Sequence, residues 1–261
     1  MSEGHPVLGK FVWHDLLTTD LDKSIAFHLD LFGWTIEEWD MGPGGTYKMI
    51  HAAGENHGGF AALSPEQTAQ GVPPHWMSHC TVADVDAAVA RSEKLGGTTQ
   101  VPATDIPTVG RYAVIADPQG ATISLYKPAA WGGEGAAQPA PGTFCWHELL
   151  AVDPEEEGKF HAEVFGWKIV PVDMGPMGTY RLFKRDDDKD AGGMLQKPAE
   201  SGGPSAWLPY VAVENTDDRA QRVPQLGGKV WVQPMDIPNV GRFAVIADPT
   251  GAMLGILGPS T

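Results

Sequence analysis

An indole and a carboxylate recur two residues apart at two places in the sequence, Trp13 with Asp15 and Trp146 with Glu148. Side chains two residues apart on a strand point to the same face of its sheet. A carboxyl group held against an aromatic wall loses solvation, which suits it to general acid or base catalysis. We therefore predict that Asp15 and Glu148 are catalytic and that Trp13 and Trp146 bind the substrate by stacking. A structural pairing of each carboxylate with an arginine or a backbone amide is the alternative.

His79 is the strongest further candidate for acid–base chemistry, because imidazole titrates near neutral pH. Tyr210 stands at the matching position of a sequence repeat, so two pockets built from the repeat would differ chemically. We predict that His79 is catalytic and that Tyr210 binds substrate, provided that both side chains face a pocket. If they face a helix instead, both are packing residues.

Two arginines and two tyrosines could line the mouth of such a pocket. Arg111 and Arg242 follow an aspartate by six residues across a Pro/Gly turn, so each either closes a hairpin with that aspartate or binds a substrate carboxylate at the rim. Tyr47 and Tyr180 begin strands after a glycine-rich turn, and either line the mouth or pack in the core. All four are predicted binding residues.

An internal repeat explains why these residues occur in pairs. The segment at 11–17 returns at 144–150, the segment at 40–47 returns at 173–180, and DIPTVGRYAVIADPQGA at 105–121 returns as DIPNVGRFAVIADPTGA at 236–252. Between the copies, residues 128–142 are rich in Ala, Gly and Pro, which is typical of a linker. We predict two domains, 1–133 and 134–261.

Each copy contains two similar halves. In the first half, a strand over 11–18 leads to Asp20 as a helix cap, a helix over 21–32 and three short strands. In the second, a strand over 75–82 leads to Asp84, a helix and three further strands. The pattern is βαβββ–βαβββ. Two such modules can bury their faces only by sharing a core, which predicts an α+β fold with a curved, mostly antiparallel sheet and a concave pocket.

The motifs WH[DE]LLxxD, FHxx[LV]FGW and GR[YF]AVIADPxGA resemble those of the vicinal-oxygen-chelate superfamily, which includes glyoxalases, bleomycin-resistance proteins and extradiol dioxygenases. The resemblance covers nearly the whole chain and implies two tandem glyoxalase-like domains. It is specific for the fold and weak for the chemistry, because this fold hosts lyases, isomerases, dioxygenases and plain binding proteins.

Metal-using members of this superfamily carry ligands on the first and last strands of each module. The corresponding residues here are Trp13, Ser78, Ser124, Trp146, Pro209 and Gly255. Such residues rarely or never ligate a divalent cation, so we predict no metal and no cofactor. A register displaced by one residue would offer His14 and His79 instead, and that alternative stays open.

Composition limits the partners. The formal net charge of −15 argues against nucleic acid and against an anionic membrane surface, so we predict a small-molecule ligand. Two cysteines at non-equivalent positions, without a leader-like N-terminus, favour a cytoplasmic protein. Because the fusion supplies a pairing that single-domain relatives obtain by dimerising, a monomer or a homodimer is expected.

Three functions are compatible with these residues. The first is a metal-independent lyase, isomerase or hydroxylase-like enzyme acting on a small oxygenated or carbonyl metabolite. The second is a non-catalytic binding or resistance protein whose aromatic pockets stack a planar or cationic ligand. The third is a metal-dependent glyoxalase or dioxygenase, which needs ligands that the predicted register does not supply.

Overall fold

The computed structural model describes residues 7–42, 45–131, 139–175 and 178–260. The domain boundary predicted at residues 133 and 134 lies outside these ranges. Within them, no helix is both long and apolar enough to span a bilayer.

The described residues form sixteen strands that follow the repeat, eight in each copy. Those of the first copy are β1 (Phe11–Thr18), β2 (Thr35–Asp40), β3 (Thr46–Ala52), β4 (Glu55–Ala62), β5 (His75–Thr81), β6 (Thr98–Ile106), β7 (Gly110–Ala116) and β8 (Thr122–Pro128). Those of the second are β9 (Phe144–Ala151), β10 (Lys168–Asp173), β11 (Thr179–Lys184), β12 (Asp190–Gln196), β13 (Ala206–Ala212), β14 (Lys229–Ile237), β15 (Gly241–Ala247) and β16 (Met253–Gly258).

Within the described ranges, five α-helices and two short 3-10 helices connect the strands. The α-helices are α1 (Leu21–Phe32), α2 (Pro65–Ala69), α3 (Val85–Lys94), α4 (Pro154–Phe165) and α5 (Thr216–Arg222). The 3-10 helices are Ala199–Ser201 and Val223–Leu226. The predicted βαβββ order is therefore confirmed in all four modules.

Each copy forms its own eight-stranded mixed sheet, which confirms the predicted α+β fold of two tandem glyoxalase-like domains. The strand order is β2-β3-β4-β1-β5-β8-β7-β6 in the first sheet and β10-β11-β12-β9-β13-β16-β15-β14 in the second. The hairpins within each module are antiparallel, whereas β1 pairs with β4 and β5 pairs with β8 in parallel.

The recurring FGW motif ends the first helix of each copy. Gly33 and Gly166 close α1 and α4 in the left-handed conformation, with φ of 71° and 75°, a region that glycine occupies without strain. The tryptophan that follows is buried, and its indole nitrogen donates to a backbone carbonyl, from Trp34 to Gly142 at 2.6 Å and from Trp167 to Gly9 at 2.9 Å. The motif thus combines a helix stop with a buried anchor.

By backbone proximity the described residues divide into two compact units, and both are built from segments of both copies. Unit 1 comprises the described residues of 1–12, 78–136 and 147–207, and unit 2 those of 13–77, 137–146 and 208–261. Unit 1 buries Val85 of α3 and Phe160 of α4 in one apolar core. Unit 2 buries Phe27 of α1 and Ala220 of α5 in another.

A stacked ring pair lies inside each unit. In unit 1 the ring of Phe11 stacks on His147, with centroids 3.8 Å apart. In unit 2 the ring of His14 stacks on Phe144, with centroids 3.7 Å apart. Phe11 and Phe144 are repeat counterparts, as are His14 and His147. Each pair therefore takes one ring from each copy.

Candidate functional site

Three side chains of unit 2 form a hydrogen-bonded cluster of an indole, a carboxylate and a phenol. On β1, His14 and Leu16 are buried on one face, while Trp13 and Asp15 project from the other. The Trp13 indole nitrogen donates to Asp15 Oδ1 at 3.2 Å and to the Tyr47 hydroxyl oxygen at 2.9 Å. The Tyr47 hydroxyl in turn donates to Asp15. The predicted same-face placement of Trp13 and Asp15 is confirmed, and Tyr47 joins them.

Gly59 makes room for this cluster. It is the register partner of Asp15 on the neighbouring strand β4, and the Tyr47 ring lies directly over it. A Cβ atom at Gly59 would stand 2.2 Å from the Cζ and hydroxyl oxygen of Tyr47, closer than atoms can pack. A glycine is therefore required where the phenol reaches the carboxylate.

The environment keeps the Tyr47 hydroxyl protonated. Burial raises the pKa of Tyr47 well above its ordinary value, and the Asp15 carboxylate raises it further. In the folded protein Tyr47 should therefore stay protonated at a pH where a free phenol ionises. Tyr47→Phe is expected to leave the 295 nm phenolate absorbance of the folded protein at pH 11 unchanged.

The same variant unfolded in urea supplies the control for this prediction. There all five tyrosines of the chain titrate, so Tyr47→Phe should lower the absorbance step by a fifth. An equal drop in the folded protein would show that Tyr47 is not held as a neutral donor.

Unit 1 contains a related arrangement from the second copy. Glu148 lies on β9 with Gly193 of β12 as its register partner. The Tyr180 ring lies over Gly193, where a Cβ atom would meet the hydroxyl oxygen at 2.3 Å. The pairing of acid, glycine and tyrosine is thus repeated, with the carboxylate carried on a side chain one methylene longer.

Trp146 and Tyr210 belong to unit 2 and pack in a third, mainly apolar cluster. Tyr210 is buried there with Leu208 and Val245, and Trp146 packs against the same cluster. The Tyr210 ring covers Gly255, its register partner on β16. Cys145 donates its thiol hydrogen to the Tyr210 carbonyl at 3.4 Å. The face of β13 that bears Tyr210 therefore differs in chemistry from the matching face of β5, which bears His79.

His79 lies on the face of the sheet away from the core of unit 1. Its register partner is Ser124, and its ring is 6.4 Å from Tyr112 and 6.2 Å from Tyr126 between centroids. Cys80, the next residue, points into the core. Because neighbouring strand residues alternate, Ser78 faces the core side. The expectation that Ser78 lies on the face away from the core is wrong by one residue, because His79 lies on that face.

Both candidate arginines are held in ion pairs. Arg111 donates to both carboxylate oxygens of Asp86 on α3, each at 2.8 Å, and to Asp105 at 2.9 Å. Arg242 pairs in the same way with Asp217 of α5 and lies 3.3 Å from Asp236. The predicted hairpin-closing pairs are present, and a helix-borne aspartate is added to each. Since α3 lies on the core side, Arg111 is on the opposite face of β7 from Tyr112 and His79.

The family metal position does not fit a divalent cation. Trp13 offers only an N–H donor, which is already hydrogen bonded, and the tyrosine ring over Gly255 occupies the corresponding place on β16. Because His79 rather than Ser78 lies on the face away from the core, one of the family's ligand positions holds a histidine. The residue paired with it on β8 is Ser124, which is fully buried. One imidazole without carboxylates is a poor ligand set.

Two buried polar clusters escaped the sequence analysis because their central aspartates read as turn residues. In unit 1, Asp117 Oδ2 lies 3.2 Å from His161 Nε2, and Glu157 is close by. In unit 2, Asp248 accepts from Ser24 Oγ at 2.6 Å, and His28 bonds through Nδ1 to the Ser24 carbonyl at 2.7 Å. His14 Nδ1, on the neighbouring strand β1, lies 3.1 Å from the carbonyl of His57.

The cysteines behave as small apolar residues. Both are free thiols. Burial raises the pKa of Cys80 well above its usual range and that of Cys145 to about 12. Because the nucleophile is the thiolate, neither is poised for nucleophilic catalysis.

The fold and these sites define a tandem protein whose sheets present aromatic and acidic side chains. Residues 9–125 match the model of the Glyoxalase/Bleomycin resistance protein/Dioxygenase superfamily. The chain is 36% identical, over 95% of its length and 94% of the relative, to "Putative glyoxylase CFP32" of Mycobacterium tuberculosis. The chain belongs to the glyoxalase/bleomycin resistance protein/dioxygenase superfamily.

More distant relatives agree on the fold. Anthracycline biosynthesis protein DnrV of Streptomyces peucetius is 29% identical over 95% of this chain and 93% of the relative. The Mn(II)-bound glyoxalase from Novosphingobium aromaticivorans superposes with a TM-score of 0.64 at 15% identity, covering 97% of this chain and 83% of that one. A 2,2',3-trihydroxybiphenyl 1,2-dioxygenase from Sphingomonas wittichii gives 0.62 at 14% identity, covering 98% and 92%.

Proposed function

We propose that this protein binds a small oxygenated or carbonyl compound and moves a proton on it without the usual family metal. The observation that carries the proposal is the Trp13–Asp15–Tyr47 cluster, which places a carboxylate, a neutral phenol and an indole on one face of the unit 2 strands. The Glu148–Tyr180–Gly193 arrangement of unit 1 supports it by repetition.

The hydrogen bonds suggest how such a proton transfer would run. A substrate C–H next to a carbonyl gives its proton to the Tyr47 oxygen, while the Tyr47 proton passes to Asp15. The C–H electron pair becomes the new C=C bond of an enolate, whose charge rests on the carbonyl oxygen. Return of the proton at another atom completes an isomerisation, with no oxidant consumed. The indole of Trp13 supplies a donor to Asp15 and a flat surface for stacking.

The names of the relatives agree with this substrate class. CFP32 is called a glyoxylase, and DnrV is named for anthracycline biosynthesis. Anthracyclines are planar and richly oxygenated, so they combine the carbonyl groups and the flat rings that the cluster would recognise. His79, which lies beside two tyrosines, is a second acid–base candidate in unit 1.

A test of the proposal follows C–H exchange of a bound ligand with D₂O by proton NMR, over a panel of α-ketoaldehydes and hydroxyquinones. A ligand that exchanges with wild-type protein should exchange about 100- to 10,000-fold more slowly with Asp15→Asn, the range that one acid–base group contributes. Asp22→Asn, an exposed aspartate on α1, is the matched control and should exchange like wild type. Equal rates for wild type and Asp15→Asn would refute the role of Asp15.

The second candidate function is binding without turnover. The apolar cluster of Tyr210, Trp146 and Phe243 favours it for the second copy, because that cluster presents rings rather than acids. Stoichiometric binding that quenches tryptophan fluorescence, without C–H exchange of any panel member, would select this function over the first.

A further inference from the structure

We propose that Asp117, Glu157 and His161 of unit 1 form a binding site for one divalent transition-metal cation of the Zn²⁺ type. These residues lie on the core side of the sheet, away from the face that bears His79. In the part of the chain that the structure describes, they are the one group of three or more Asp, Glu, His or Cys side chains close enough to share an ion.

The fold brings the three ligands together from two elements. Glu157 and His161 lie four residues apart on α4, so they stack on the same helix face. Asp117 comes from the turn between β7 and β8. Its Oδ2 atom is 3.2 Å from His161 Nε2, and the three ligand atoms lie within 4.8 Å of one another. Two ligands at about 2.0–2.2 Å from a tetrahedral ion stand about 3.3 Å apart, so the separation of Asp117 and His161 matches one coordination shell, with Glu157 close enough to complete it after a small shift.

Charge supplies an independent reason. Asp117 and Glu157 are 3% and 1% exposed, and two neighbouring carboxylates at that depth need a cation or a proton. Glu157 Oε2 has no hydrogen-bond partner among the described residues, although it is fully buried. The two buried carboxylates and this unpartnered oxygen are features that a bound cation would satisfy.

The remaining oxygens are already oriented for this arrangement. Asp117 Oδ1 accepts from the backbone N–H groups of Gln119 and Ala121, both at 2.9 Å, which leaves Oδ2 toward the imidazole. Glu157 Oε1 accepts from Ser205 Oγ at 2.7 Å, which leaves Oε2 without a partner. Hydrogen bonds of this kind hold metal-ligating carboxylates in place. One nitrogen and two oxygen ligands suit Zn²⁺ and its first-row neighbours better than Ca²⁺ or Mg²⁺.

Unit 2 provides an internal comparison. In unit 2 the counterparts of Asp117, Glu157 and His161 are Asp248, Ser24 and His28. Ser24 donates its hydroxyl hydrogen to Asp248, so the single carboxylate there is satisfied without a cation. The equivalent turn and helix of unit 2 therefore pack together with a serine at this position, so the Glu157 carboxylate of unit 1 is not needed to build the fold.

The test uses Zn²⁺ itself as the probe, added to the EDTA-treated full chain in competition with a chromophoric chelator. Wild-type protein is expected to bind one Zn²⁺, and Glu157→Ser, which copies the unit 2 arrangement, should bind it at least 100-fold more weakly. Glu156→Gln, an exposed acid on the same helix, is the matched control and should bind like wild type. Circular dichroism and the midpoint of urea unfolding establish that each variant is folded.

Asp15→Asn separates this proposal from the proposed function, and it should bind Zn²⁺ like wild type. Absence of a stoichiometric ion in wild type, undiminished binding by Glu157→Ser, or loss of binding in Asp15→Asn would each overturn the site. Co²⁺ substitution gives a second readout. An intense visible spectrum of tetrahedral type is expected in wild type and lost in Glu157→Ser, and its persistence in that variant would also overturn the site.

Discussion

Asp248→Ala is expected to lower the free energy of unfolding by about 4 kcal/mol, because this buried carboxylate satisfies five donors at once. It accepts from the hydroxyls of Ser24 and Thr250 and from the backbone N–H groups of Thr250, Gly251 and Ala252, at 2.6–3.0 Å. Alanine would leave the buried Ser24 hydroxyl and Ala252 N–H without this acceptor, and would also remove it from the partly buried donors of Thr250 and Gly251.

Urea unfolding at neutral pH checks this prediction. Asp218→Ala, which removes an exposed aspartate on α5, should change stability by no more than about 0.5 kcal/mol. A loss of less than about 1 kcal/mol for Asp248→Ala would show that the hydroxyl and N–H donors around this carboxylate contribute little to stability through it.

His28→Phe is expected to remove about 3 kcal/mol of acid sensitivity. Burial lowers the pKa of His28 to about 4, against the opposing effects of the Asp248 carboxylate and the Ser24 carbonyl. In the unfolded chain His28 takes up a proton near pH 6.5, whereas in the folded chain it stays neutral to about pH 4. Because the unfolded state binds more protons in this window, stability is full above pH 6.5 and falls as the pH drops to 4.

Unfolding free energies measured at pH 7 and at pH 4 test that expectation. The difference between the two should be smaller in His28→Phe than in wild type. Phe27→Leu on the same helix also loses buried packing but no titratable group, so it should lower stability by the same amount at both pH values. An unchanged pH dependence in His28→Phe would assign the acid sensitivity to other groups.

The elements of this fold were predictable because their local signals are strong. The strand at 11–18 and the helix at 21–32 begin and end where the sequence predicted. On β1, buried and half-buried residues largely alternate, so the shared face of Trp13 and Asp15 could be deduced from spacing. The arginine pairs with Asp105 and Asp236 were equally local, since only a turn separates the partners.

The register of β5 was not predictable by the same means. Six of its seven residues are buried, from Trp76 to Thr81, so the strand shows no alternation between its two faces. Counting residues back from the helix cap Asp84 therefore placed Ser78 on the face away from the core, where the structure has His79. The phenol of Tyr47 was also predictable only as a pocket residue, because its bond to Asp15 depends on a pairing of strands distant in sequence.

The buried clusters were missed for a different reason. Asp117 and Asp248 stand in a DPxG pattern that fully accounts for an aspartate as a turn residue. Their carboxylates serve that turn with one oxygen and reach a helix of the other copy with the second. A contact between residues 44 or 224 positions apart leaves no mark in local spacing.

The two ring pairs, Phe11 on His147 and His14 on Phe144, each contain one ring from each copy of the repeat. Neither copy owns a complete pair, so a single copy released by cutting the linker would expose half of each apolar core. Two such fragments could regain both cores only by associating with each other. Each compact unit is therefore built from both copies, and joining the copies in one chain makes their association intramolecular.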